Sequence, residues 1–238
     1  MRLLFFSLVL AISLVACSTV PVIETVSFHS VTRHECLSMA EAYRTHRWTG
    51  SGANLMHGPD SKGIQVDTPD STYQKPGAIP GWWRTGAENV GVPYQWGGFS
   101  TPAQFDAGQR AGKAAGDVYT SEKRRLLDAA VSTDAVGIDC SGFISRCWKL
   151  PRSYSTRELA GLCVELKSWS ELQPGDILNT FNAHCLLFAG WDDATQKEII
   201  AYETGCPPDW KVVSHSIGVQ WLRSLGYRPF RYTKMGGP

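Results

Sequence analysis

The chain has 238 residues, 43% of them hydrophobic and 19% charged, with a formal net charge of +1 and an isoelectric point near 7.6. That length suffices for one domain with a full core, or for one domain and an extension, and the composition is that of an ordinary globular protein. The near-neutral balance leaves no electrostatic footprint for nucleic acid, so no nucleic-acid partner is expected.

In chain order, Met1-Arg2 leads into an apolar run over residues 3–16 that stops at Leu14-Val15-Ala16-Cys17-Ser18. A basic start, a short apolar stretch and a small residue before the cut describe a secretory signal, too short for a permanent span. Leu-Val-Ala-Cys resembles the lipobox of bacterial lipoproteins. The resemblance implies loss of residues 1–16, lipidation of Cys17 and anchoring to a membrane through acyl chains. Ser18 stands where an aspartate would signal inner-membrane retention, which implies the outer membrane, facing the periplasm, in a Gram-negative cell. Residues 17–33 read as a tether from membrane to domain.

Residues 34–46 carry Leu37, Ala40 and Tyr43 about every three positions and predict a helix. From residue 48 to residue 80 the chain is dense in Gly, Pro, Asp and Ser, which predicts a loop that wraps the surface or covers a site. Residues 34–79 therefore read as an N-terminal helical and loop extension. Pro80-Gly81 opens a second helical pattern through Val90. Residues 121–130 predict a further helix, and residues 153–159 a short capped turn of helix. The tail predicts strands over residues 176–181, 184–191, 198–204, 211–215 and 228–232. No crossover helix separates them, so the sheet should be antiparallel; helices first and strands last give the α+β class.

Gly137-Ile138-Asp139-Cys140-Ser141-Gly142-Phe143 is a glycine-bounded entry to an amphipathic run. Asp139 can cap the helix, and Ile144 and Trp148 recur on one apolar face, so Cys140 falls in the first turn. There the helix dipole favours the nucleophilic thiolate. The competing reading is a small buried cysteine that opens an ordinary core helix. A cysteine nucleophile needs a base, and the base an orienting partner. Of six histidines, His29, His34, His46 and His57 read as solvated or helix-terminal, and His215 fits either role. His184 opens the apolar strand Cys185-Leu186-Leu187-Phe188, where a side chain can face a cleft. Setting aside Cys17 and Cys140 leaves Cys36, Cys147, Cys163, Cys185 and Cys206, an odd number that allows at most two bridges. No Cys-x-x-Cys spacing suggests zinc, and no metal or other cofactor is expected.

The ordered set Val92-Pro93-Tyr94-Gln95-Trp96-Gly97-Gly98, Asp139-Cys140-Ser141-Gly142-Phe143, Leu172-Gln173-Pro174-Gly175-Asp176-Ile177 and then His184 resembles the NlpC family of papain-like bacterial cell-wall peptidases. It covers roughly residues 80–232 and implies a papain-like domain over 80–238. In that fold a nucleophile helix packs on an antiparallel sheet of about five or six strands. The implied activity is hydrolysis of amide bonds in peptidoglycan stem peptides, most often between D-glutamate and a diamino acid, by a monomer. The resemblance makes Cys140 the nucleophile and His184 the general base. The family often has histidine as third residue on the following strand; this chain has Glu203, whose carboxylate can accept the second imidazole N–H. Tyr94, Trp96, Asp139 and Ser141 become expected substrate contacts. The chain departs from the family in an insertion at about residues 100–136, expected to reshape or cover the cleft, and in residues 31–79, expected to pack over the catalytic face. Two other readings stay open: a papain-like amidase or acyltransferase on another envelope component, and a catalytically silent envelope-binding lipoprotein.

Overall fold

The computed structural model describes residues 28–74, 80–205 and 208–237; the signal segment 1–16, Cys17 and Cys206 lie outside them. Helix α1 (Arg33–Arg44) begins one residue from its expected start because Thr32 and Glu35 form a capping box. The Thr32 hydroxyl accepts the Glu35 N–H at 3.2 Å, and the Glu35 carboxylate accepts the Thr32 N–H at 2.9 Å. The end of the expected tether is already tied down: Val31 is fully buried, and its N–H meets the Lys234 carbonyl at 3.1 Å.

Residues 48–80 hold short strands rather than loop alone. These are β1 (Arg47–Thr49), β2 (His57–Pro59) and β3 (Gln65–Asp67), with β2 pairing antiparallel to β3 and β1 to β4 (Glu88–Val90). The helix expected over residues 80–90 does not form. Trp83 is fully buried with its indole N–H on the Ala115 carbonyl at 3.1 Å. Gly81 approaches the preceding segment so closely that a Cβ would lie 2.1 Å from the Asp70 carbonyl oxygen. Burying a tryptophan is worth a few kcal/mol, roughly 2–3, and outweighs a weak helical pattern.

The span 100–136 contains α2 (Pro102–Arg110), β5 (Ala114–Ala115), α3 (Ser121–Leu126) and β6 (Ala135–Val136). A 3-10 turn over Leu127–Ala130 continues α3, so the expected helix at 121–130 is present in two pieces. Next come α4 (Cys140–Cys147), β7 (Cys163–Glu165), β8 (Ile177–Asn179), β9 (Cys185–Trp191), β10 (Glu198–Glu203), β11 (Val213–Gly218), α5 (Val219–Ser224) and β12 (Arg228–Tyr232). The helical turn expected at 153–159 appears later, as 3-10 helix over Leu159–Leu162.

Strands β7 to β12 form one antiparallel sheet in the order β11-β10-β9-β8-β12-β7. Mixed helices and strands around this six-stranded sheet agree with the α+β reading. Strand β7 carries no sequence signal of its own, and β11 lies a few residues beyond its expected place. The period-2 alternation of β9 sorts its side chains to two cores. Cys185 and Leu187 join Phe143, Ile144 and Cys147 of α4 and Cys36, Ala40 and Tyr43 of α1. Leu186 and Phe188 join Ile199, Ala201, Val219 and Leu222 on the opposite face. Helix α1 is thereby part of the main core; the Tyr43 ring meets the Phe143 ring edge-on at 5.7 Å. Among the described residues no helix is long and apolar enough to cross a membrane.

Candidate active site

Cys140 is the first residue of α4, and Asp139 is its cap: the Asp139 carboxylate accepts the Gly142 N–H and, at 3.1 Å, the Ser141 hydroxyl. The N–H groups of this first turn have no acceptor inside the helix, and the dipole gathers positive charge around the thiol. Close packing fixes the entry, since a Cβ on Gly142 would sit 2.2 Å from the Gly98 carbonyl oxygen. The motif at 92–98 and the cysteine helix are thus bound to each other directly.

His184 ends the hairpin between β8 and β9. Thr180 clamps its backbone twice: the Thr180 hydroxyl accepts the His184 N–H at 3.0 Å and donates to the His184 carbonyl at 3.0 Å. Asn182 makes the turn in the left-handed region, with φ of 57°. From that position the imidazole meets the Glu203 carboxylate of β10 at 2.6 Å. The other Glu203 oxygen holds His215 of β11 at 2.5 Å. Glu203 is 5% exposed, so its charge is answered almost entirely by these two rings. His215 is the member that sequence reasoning leaves undecided; only the register of β10 and β11 brings it to Glu203.

The electrostatics follow from these contacts. The Cys185 thiol, then His184, hold the Cys140 thiol well below the ordinary range, against the cost of burial. Burial favours a neutral His184, but the Cys140 thiolate and the Glu203 carboxylate outweigh it and raise the imidazole to about 10. Burial also opposes the Glu203 charge, and hydrogen bonds from His184 and His215 overcome it to hold the carboxyl at about 2. Cys140 and His184 therefore stand as thiolate and imidazolium at neutral pH. Asp139 is pushed up to about 7 by burial and then by the neighbouring Cys140 charge. Burial, with Cys140 and Asp139 nearby, keeps Tyr94 a neutral phenol.

A cleft of about 320 Å³ opens over Cys140 and His184. Tyr94, Trp96, Asp139 and Ser141 line it as the sequence places them; Asp139 and Ser141 are engaged with each other at the helix start. Residues 31–79 line none of it among the described residues, which corrects the expectation that they cover the catalytic face. They pack instead beside α4 through α1 and against the insertion. The insertion itself supplies a wall through Tyr119, Arg124, Leu127 and Asp128. The Leu127 carbonyl accepts the Trp96 indole N–H at 3.1 Å, which ties that wall to the 92–98 motif.

Cys36, Cys140, Cys147, Cys163 and Cys185 are free thiols. No group of three or more His, Cys, Asp or Glu suited to a metal ion occurs among the described residues, and the grouping of Glu203 with two histidines is an ion-pair network. No protein-family model matches the chain, and neither curated proteins nor solved structures give a match.

Proposed function

We propose that the protein is a cysteine peptidase of papain-like design that hydrolyses amide bonds in peptidoglycan stem peptides, acting in the cell envelope from a lipid anchor at Cys17. The observation that carries this reading is the Cys140, His184, Glu203 sequence of contacts at a helix start beneath an open cleft. The order of motifs that resembles the NlpC family supports the substrate class, and the lipobox-like segment supports the compartment.

In the proposed reaction the Cys140 sulfur attacks the scissile carbonyl carbon and forms a C–S bond. The developing oxyanion is held by the Cys140 N–H at the positive end of α4. As the C–N bond breaks, the His184 imidazolium gives its proton to the leaving amine. Water then attacks the thioester while neutral His184 takes a proton from it; the acid is released and the thiolate–imidazolium pair is restored. Glu203 fixes the imidazole tautomer and stabilises its charged form, the part played by the acid of a Ser/His/Asp triad.

A second reading, acyl transfer or amide hydrolysis on an envelope component that carries an apolar chain, draws on a separate cleft. His184, Glu203 and Gly205 also border an opening lined by Leu186, Ile217 and Trp221, and Trp221 is 62% exposed. Mass spectrometry of muropeptides separates the two. Digestion of purified peptidoglycan by the wild-type protein is expected to release stem peptides with new amino termini, and Cys140→Ala is expected to release none. A muropeptide profile identical for the two proteins overturns the peptidase reading.

A further inference from the structure

The cleft over Cys140 carries two guanidinium groups that the catalytic contacts do not use. Arg124, in the last turn of α3, and Arg157, in the loop after α4, both line it. Neither has a hydrogen-bonded or ionic side-chain partner among the described residues. Their neighbours do: Arg125 takes Glu122 at 2.6 Å, and Arg152 takes Glu158 at 2.8 Å. Glu158, next to Arg157 in the chain, also accepts the Ser155 N–H at 2.9 Å and is already engaged. The segments that carry the two arginines are anchored. The Trp96 indole binds the Leu127 carbonyl, and the Asn179 amide binds the Thr156 carbonyl at 3.0 Å.

Two guanidinium groups on one cleft, neither answered by a side chain, suit a negatively charged ligand. Asp128, Asp139 and Cys140 also border the cleft, so the preference for an anion rests on the fork geometry of the two arginines and not on a net positive charge.

We propose that Arg124 and Arg157 form a carboxylate-binding subsite, so that the substrate is an acidic peptide with a free carboxylate beside the scissile amide. The subsite rests on Cys140 being the nucleophile of this cleft. Arginine suits the task because its planar fork meets both carboxylate oxygens at once. Arg124 belongs to the insertion, so the insertion sets specificity rather than merely shielding the site.

The test compares alkylation of Cys140 in the full chain by iodoacetate and by iodoacetamide, followed by mass spectrometry. Both reagents form the same C–S bond and expel iodide; they differ in carrying a carboxylate or an amide. The ratio of the two rates cancels any general change in thiol reactivity. It is expected to fall about fivefold in the Arg124→Gln, Arg157→Gln double variant, the scale of a charge-assisted contact partly screened by water. Arg124→Lys with Arg157→Lys retains the charge without the fork and is expected to keep only part of the preference. A ratio unchanged by the double Gln substitution overturns the subsite. A protein that shows the preference yet leaves peptidoglycan uncut overturns the peptidase reading and leaves the subsite standing.

Discussion

His184 and Glu203 meet at 2.6 Å across two neighbouring strands, and the same carboxylate holds His215 on its other oxygen. Hydrogen bonds from the two rings keep the buried carboxylate ionised at about 2, and Cys140 first, then Glu203, keeps His184 charged to about 10. Glu203 therefore acts on Cys140 through His184, which with the Cys185 thiol lowers the Cys140 thiol directly.

Glu203→Gln tests that arrangement. The amide keeps the shape and loses the charge, so turnover is expected to fall by about two orders of magnitude or more. The alkaline limb of the pH–rate profile, set by loss of the His184 proton, is expected to move well below about 10. A variant with wild-type turnover and an unmoved alkaline limb would remove Glu203 from the mechanism.

Thr180→Val tests the placement of His184 without touching a charged group. The substitution preserves volume and deletes both backbone clamps at His184. The two lost hydrogen bonds, about 1 kcal/mol each, are expected to lower the melting temperature by a few degrees, and the loosened His184 to reduce kcat roughly tenfold or more. Equal kcat for variant and wild type would show that the hairpin holds His184 unaided.

The insertion has its own keystone, the pair of Lys123 and Asp117, both buried. Burial raises Asp117 to about 6 even with Lys123 beside it. A folded-state value above the ordinary 3.8 means that its contribution to stability is complete below that pH and is lost as pH rises through about 6. Lys123→Met leaves the carboxylate without its cation and is expected to cost about 3–5 kcal/mol near pH 7.5. The cost is expected to be smaller near pH 5, where Asp117 is protonated. Denaturant unfolding at the two pH values checks this; equal costs would show that Asp117 does not titrate in this range.

Much of the site was legible in the chain because its signals are local. Asp139 caps α4 through its own short-range hydrogen bonds, and the turn before His184 is written in Thr180, Asn182 and Ala183. The strands of the tail follow from alternation, which depends on immediate neighbours. What escaped depends on partners far along the chain. Residues 80–90 read as helix because nothing local announces that Trp83 will bury against Ala115. His215 reaches Glu203 through strand register and Arg124 reaches the cleft through the insertion, and neither position carries a motif. The place of residues 31–79 beside α4 was missed for the same reason: Cys36 and Tyr43 look like any amphipathic stripe until their partners are known.

Every functional statement above depends on Cys140 being a thiolate stabilised by the residues around it. The most direct measurement is the rate of Cys140 alkylation by iodoacetamide as a function of pH, read by mass spectrometry of the modified peptide. The expected curve is already near its plateau at neutral pH, because the thiol ionises well below the ordinary range. A rate that stays low at that pH and rises only through about 8.5 would contradict the account, since Cys140 would then be an ordinary thiol at the start of an ordinary helix.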